Sequence, residues 1–101
     1  KIMIKVTVLY GQPTDSVVFE DYYSNNHLPI AAKMTGHERL ELTKFLNAAD
    51  GEKPFYYRMA EFWYDNIETM QQAMGSPEGQ DTAGDLANFA TGGVTLLVGE
   101  V

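Results

Sequence analysis

The residues from Phe55 to Tyr64 read FYYRMAEFWY. A run this aromatic, bounded by turn formers, is a β-strand. Alternation puts Phe55, Tyr57, Met59 and Trp63 on one side and Tyr56, Ala60, Phe62 and Tyr64 on the other. Both faces therefore need cover. The segment IMIKVTVLY sets Ile2, Ile4, Val6 and Val8 against Met3, Thr7 and Leu9, and VTLLVGEV at the end sets Val94, Leu96 and Val98 against Leu97 and Val101. Helices cover one face of a sheet built from such strands, and the other face normally turns polar residues to water. Left open here, that second face is an unusually large apolar patch. The economical cover is a twofold partner stacking sheet on sheet, which predicts a homodimer enclosing the core of a joint barrel.

The intervening segments fix the order. Gly11 ends the first strand, and Gln12-Pro13-Thr14-Asp15 forms a turn in which Thr14 or Asp15 caps a helix. Val18, Phe19, Tyr22 and Tyr23 recur at helical spacing, Ile30, Ala31 and Met34 follow Pro29, and Gly36 stops the helix. Glu38 to Ala49 alternates, with Leu40, Leu42 and Leu46 opposite Thr43 and Phe45, and residues 50–54 make a hairpin connection. Asp65 or Asn66 caps a second helix containing Ile67, Met70 and Met74. Ser76 and Pro77 break it and start another, which Gly92-Gly93 end. The order β-α-β-β-α-β is the split-βαβ, ferredoxin-like α+β pattern, a four-stranded antiparallel sheet with helices on one face.

A chain of 101 residues is expected to form one domain, 1–101. Its net charge of −7, with no Lys/Arg cluster, argues against a nucleic-acid partner. No apolar run approaches membrane-spanning length, so no membrane partner is expected. The absence of cysteine rules out disulfides and thiolate metal sites and fits a cytoplasmic location. Histidine and carboxylate spacings suited to a metal are missing, as are the glycine-rich nucleotide loops and the nucleophile elbow of α/β-hydrolases. Neither a metal nor a cofactor is expected.

Chemistry concentrates in Tyr22-Tyr23-Ser24-Asn25-Asn26-His27-Leu28-Pro29. At 100° per residue, Phe19, Tyr23 and His27 form a helical stripe about 80° wide. Pro29 cannot donate to Asn25, so the helix should bend around residues 25 to 28 and aim His27 into a cleft. Histidine is the side chain suited to proton transfer at neutral pH, although His27 would equally serve to satisfy the loosened backbone. Tyr23 would hold a substrate oxygen, or pack in the core with its hydroxyl at the surface. Asp85 and Asn88 share a helix face, which spacing alone assigns to solvent. Arg58 and Glu61 fall on opposite faces of the aromatic strand, and such charges require partners, either as the polar groups of a pocket or, more simply, as an ion pair across an interface. His37, after Gly36, reads as an exposed loop residue.

Two blocks, Tyr22-Tyr23…His27-Leu28-Pro29-Ile30-Ala31 and Ser76-Pro77-Glu78-Gly79…Ala83-Gly84-Asp85-Leu86-Ala87-Asn88-Phe89, resemble the EthD-like family of dimeric α+β barrel proteins. The resemblance covers nearly the whole chain. It implies a homodimeric barrel with a small-molecule cleft between sheet and helices, and a link to the degradation of organic compounds such as ethyl tert-butyl ether. It makes His27 and Asp85 the expected catalytic pair, Asp85 orienting the ring. Tyr23, Phe19, Asn26, Trp63 and Asn88 become the expected ligand contacts. The expected ligand is an apolar, oxygenated or aromatic metabolite, turned over without a cofactor by isomerisation, cyclisation or oxygenation. The alternative is a non-catalytic accessory protein that holds this ligand for a partner oxygenase.

Overall fold

β-Branched and aromatic residues occupy alternate positions of strand β1 (Ile4–Gly11), and Ile4, Val6, Val8 and Tyr10 are all buried in the computed structural model, which describes residues 1–101. β1 is an inner strand of a four-stranded sheet ordered β2-β3-β1-β4, where β2 is Arg39–Lys44, β3 is Tyr56–Tyr64 and β4 is Val94–Glu100. All neighbours are antiparallel. The β-α-β-β-α-β order and the ferredoxin-like α+β fold are as the sequence predicts. Register puts Val6 opposite Phe62 and Val8 opposite Ala60, so these residues share the face beneath the helices.

Strict alternation fails at Tyr57. Tyr10 pairs with Arg58 and Gly11 with Tyr56, leaving Tyr57 as the extra residue of a β-bulge. The bulge turns Tyr57 onto the helix-covered face, where its ring meets Phe19 edge-on at 5.1 Å.

The second face is mixed rather than apolar. On it, Lys5 pairs with Glu61 at 3.1 Å, and the Arg39 guanidinium lies 4.4 Å from the centre of the Trp63 ring. The uncovered apolar surface is concentrated in β4 instead. Every residue of this edge strand is exposed, and Leu96 and Leu97, on opposite faces, are 49% and 54% accessible.

Helix α1 (Ser16–Tyr22) is capped by Asp15, which accepts from the amides of Val17 and Val18. It runs through a π-helical stretch (Tyr23–His27) into α2 (Leu28–Ala31). Asn66 caps α3 (Ile67–Gly75), and Ser76 caps α4 (Pro77–Asp85) by accepting from Gly79 N–H at 3.0 Å. Gly79 lets α4 start tight against the end of α3, because a Cβ there would lie 2.2 Å from the Ala73 carbonyl oxygen. The last helix ends earlier than Gly92-Gly93. A 3-10 turn (Leu86–Asn88) follows Asp85 and delivers buried Phe89 to the core. Gly92 serves a different purpose, close backbone packing, since a Cβ would meet the Gln12 carbonyl oxygen at 2.2 Å.

Candidate functional site

The site begins with the helix irregularity. Pro29 has no amide hydrogen to give the helix, and the chain accommodates it with a π turn rather than a free bend. The Leu28 amide donates to the Tyr23 carbonyl, five residues back. Within this turn the rings of Tyr23 and His27 stack at 5.9 Å with an 18° interplanar angle, and Phe19 stacks below Tyr23 at 5.5 Å. The predicted stripe is thus a column of three rings. His27 is 4% exposed, its ring 4.6 Å from that of Phe89.

Asp85, the last residue of α4, is equally buried and reaches the same place. Its Oδ2 lies 2.9 Å from His27 Nδ1. Its Oδ1 accepts from the Tyr22 hydroxyl at 2.6 Å and from Asn88 Nδ2 at 3.0 Å. Burial by itself pushes the Asp85 carboxyl up. The hydrogen bonds from Tyr22, Asn88 and His27 overcome that and hold it below the usual carboxylate range. Asp85 is therefore ionised at neutral pH, and His27 Nδ1 carries the proton it donates to Oδ2. In the neutral ring Nε2 is then the unprotonated nitrogen, and no protein group bonds to it. Tyr22 donates in turn, and that bond to Asp85 is the main reason its phenol is pushed up.

His27 and Tyr23 form part of the wall of a cavity of about 60 Å3 between the sheet and the helices. Fifteen of its eighteen lining residues are hydrophobic and none is charged, so a ligand would meet very few polar groups. Leu40 and Leu42 of β2 and Leu96 of β4 are 40 to 49% exposed and form its rim. The Tyr23 hydroxyl is buried with no protein group in hydrogen-bonding range.

Of the expected contacts, the structure brings His27, Asp85 and Tyr23 together, with Phe19 behind them in the core. Asn88 belongs to Asp85 and does not line the cavity. Asn26 points away from it and is exposed, and Trp63 lies on the other face of the sheet beside Arg39. Arg58 and Glu61 have separate partners within the chain. Arg58 binds Glu20 through Nε at 2.9 Å and Nη2 at 2.6 Å, while Glu61 binds Lys5. The guanidinium of Arg58 also covers the Tyr23 ring at 4.8 Å. His37 is half-buried rather than exposed, its ring edge-on to Phe62 at 5.8 Å. Sequence reasoning missed Tyr22 and Glu20. Helical spacing placed Tyr22 in the apolar pattern, and its second signal is the 100° step from Tyr23, which turns it toward α4. No group of three or more His, Cys, Asp or Glu side chains is placed to hold a metal ion, and no helix is long and apolar enough to cross a membrane.

The EthD domain model matches residues 12–93. The chain is 38% identical over 95 residues to an uncharacterised 11.0 kDa protein from the thcB-thcC intergenic region of Rhodococcus erythropolis, covering 94% of this chain and 91% of that one. An EthD family protein from Bacillus halodurans shares 36% identity over 96% of both chains, with a TM-score of 0.87. Three more distant structures share the fold alone. A dimeric protein of unknown function from Bacteroides fragilis is 16% identical, with a TM-score of 0.69, over 98% of this chain and 96% of that one. For the hydroxynitrile lyase of Passiflora edulis the values are 11%, 0.76, 98% and 93%. For SnoaB, a cofactor-independent oxygenase from Streptomyces nogalater, they are 16%, 0.57, 99% and 90%.

Proposed function

We propose that this chain, which belongs to the EthD family, moves a proton on a small apolar, oxygenated metabolite, as a step in the degradation of organic compounds. The observation that carries this reading is the 2.9 Å bond from His27 Nδ1 to an ionised, buried Asp85, which leaves Nε2 as a base beside an apolar cavity. Asp85 fixes the tautomer and stabilises the imidazolium that forms when Nε2 takes a proton. Tyr23 meets the ligand oxygen on which charge develops. The proton passes from a substrate carbon to His27 and returns to the same or a neighbouring carbon, so the reaction balances without a cofactor.

The working unit is a homodimer. The two-faced apolar strand β4 supports this, and so does the dimeric state of the Bacteroides fragilis neighbour of the same fold. We place the protein in the cytoplasm. A second reading rests on the composition of the cavity wall, where His27 is the only group suited to acid–base chemistry at neutral pH. On that reading the protein holds its ligand for a partner oxygenase.

The test is deuterium exchange at carbons next to the oxygen of a bound ketone, followed by NMR in D2O. Replacing His27 with Gln or Ala should slow exchange by about 10²- to 10⁴-fold. Undiminished exchange would remove the proton-transfer role. Tight binding with no exchange, retained in the His27 variants, would favour the accessory role.

A further inference from the structure

We infer that the pocket selects an uncharged, short aliphatic molecule with a single oxygen, of the ketone or secondary alcohol class. The place of the oxygen rests on the proton-transfer reading above, whereas the limits on charge and size rest on the cavity alone.

Charge is limited first. None of the lining side chains is ionic. The guanidinium lying across the Tyr23 ring, that of Arg58, spends Nε and Nη2 on both oxygens of Glu20. An anionic ligand would therefore lose its water without gaining a counter-charge, and would sit near the ionised Asp85 that backs His27. A cationic ligand would be attracted by Asp85, but Asp85 does not line the pocket, so the cation would lose its water without a free acceptor to replace it. Asp85 Oδ1 already accepts from Tyr22 and Asn88, and Oδ2 accepts from His27.

Size is limited next. An apolar cavity of roughly 150 Å3 holds benzene. The cavity here, at about 60 Å3, has room for a few heavy atoms. An aromatic ring would have to displace buried Met34 or its neighbours. The exposed rim leucines, Leu40, Leu42 and Leu96, offer apolar cover for an aliphatic tail that extends past the mouth.

The oxygen has one natural place. Tyr23 belongs to the pocket wall, and its hydroxyl is buried and bonded by no group of the protein. A ligand oxygen accepting from it would satisfy a donor that the fold leaves unmatched. His27 Nε2, on the next rung of the ring column, then faces the carbon or hydroxyl proton adjoining that oxygen.

The experiment measures dissociation constants by amide shift perturbation at neutral pH for six probes: butan-2-one, butan-2-ol, butanoate, butan-2-amine, acetophenone, and 2-methylbut-1-ene, the hydrocarbon isostere of the ketone. Butan-2-one and butan-2-ol should bind with shifts at Leu28 and Leu86, and butanoate and the ammonium form of the amine at least tenfold more weakly. Acetophenone should bind more weakly than butan-2-one despite its larger apolar surface. Tyr23→Phe should weaken the ketone at least tenfold and leave 2-methylbut-1-ene unchanged, which also shows that the variant is folded. Butanoate or acetophenone binding as tightly as the ketone would overturn the inference, and so would a ketone insensitive to Tyr23→Phe or no binding by either oxygenated probe. The expected selectivity without any deuterium exchange would support this inference while defeating the proton-transfer reading.

Discussion

Asp85 accepts hydrogen bonds from three side chains, and two of them, Tyr22 and His27, come from the other end of the sequence. A carboxyl held below its usual range stabilises the fold at any pH above its unfolded value, near 4, and that contribution is lost as pH falls through the folded value. Glu20 behaves in the same sense, because its hydrogen bonds from Arg58 pull it down. Urea unfolding measured from pH 7 to pH 3 should therefore show stability level above about pH 5 and falling below pH 4. Asp85→Asn should cost about 2 kcal/mol at pH 7, and its curve should fall less steeply on the acid side. Parallel curves would mean that the buried carboxylate adds nothing to stability. Tyr22→Phe removes one of the three donors, so carbon-13 titration of the Asp85 carboxyl should find its midpoint moved upward.

Helix ends were legible in the sequence because their chemistry is local. Asp15, Asn66 and the Ser76-Pro77 pair cap where short-range rules put them. The disturbance at Pro29 was legible too, although its form was not, since a π turn and a bend both answer a missing amide hydrogen. Tyr57 was misplaced for a different reason. A bulge arises from pairing with another strand, and alternation within one strand carries no trace of it. The partnership of Tyr22 with Asp85 was hidden in the same way, because helical spacing shows which face a residue occupies and not what lies opposite. Trp63, expected in the cleft from the family resemblance, lies on the opposite face by simple alternation, since Phe62 and Tyr64 on either side of it are buried beneath the helices. The junction of α3 and α4 offers a test at this scale. Gly79→Ala should cost about 2 kcal/mol or more by urea unfolding, since the clash is with backbone. Gly84→Ala, which meets nothing within 4 Å, should be neutral or stabilising by up to about 1 kcal/mol. Equal effects at the two positions would show that the α3–α4 contact is not tight.

For the molecule as a whole, the surface that calls for a partner is narrower than alternation implied. The Lys5–Glu61 pair and the Arg39–Trp63 contact make much of the open sheet face compatible with water. From Val94 to Gly99, β4 carries no charge, and its outer backbone edge is unpaired within the chain. Light scattering at micromolar concentration should give the mass of a dimer, and Leu97→Lys should raise the dissociation constant more than tenfold. A stable monomer of the unaltered chain would contradict the dimer. Natural sheets protect free edges with lysine, proline or a twist, and β4 has only the glutamate at its end. A separated chain would thus offer a ready template to any passing strand. If the proposed dimer is the form that covers β4, separation of the subunits becomes the hazardous condition, so at equal concentration this protein should precipitate more readily under solution conditions that split the dimer than under those that keep it intact.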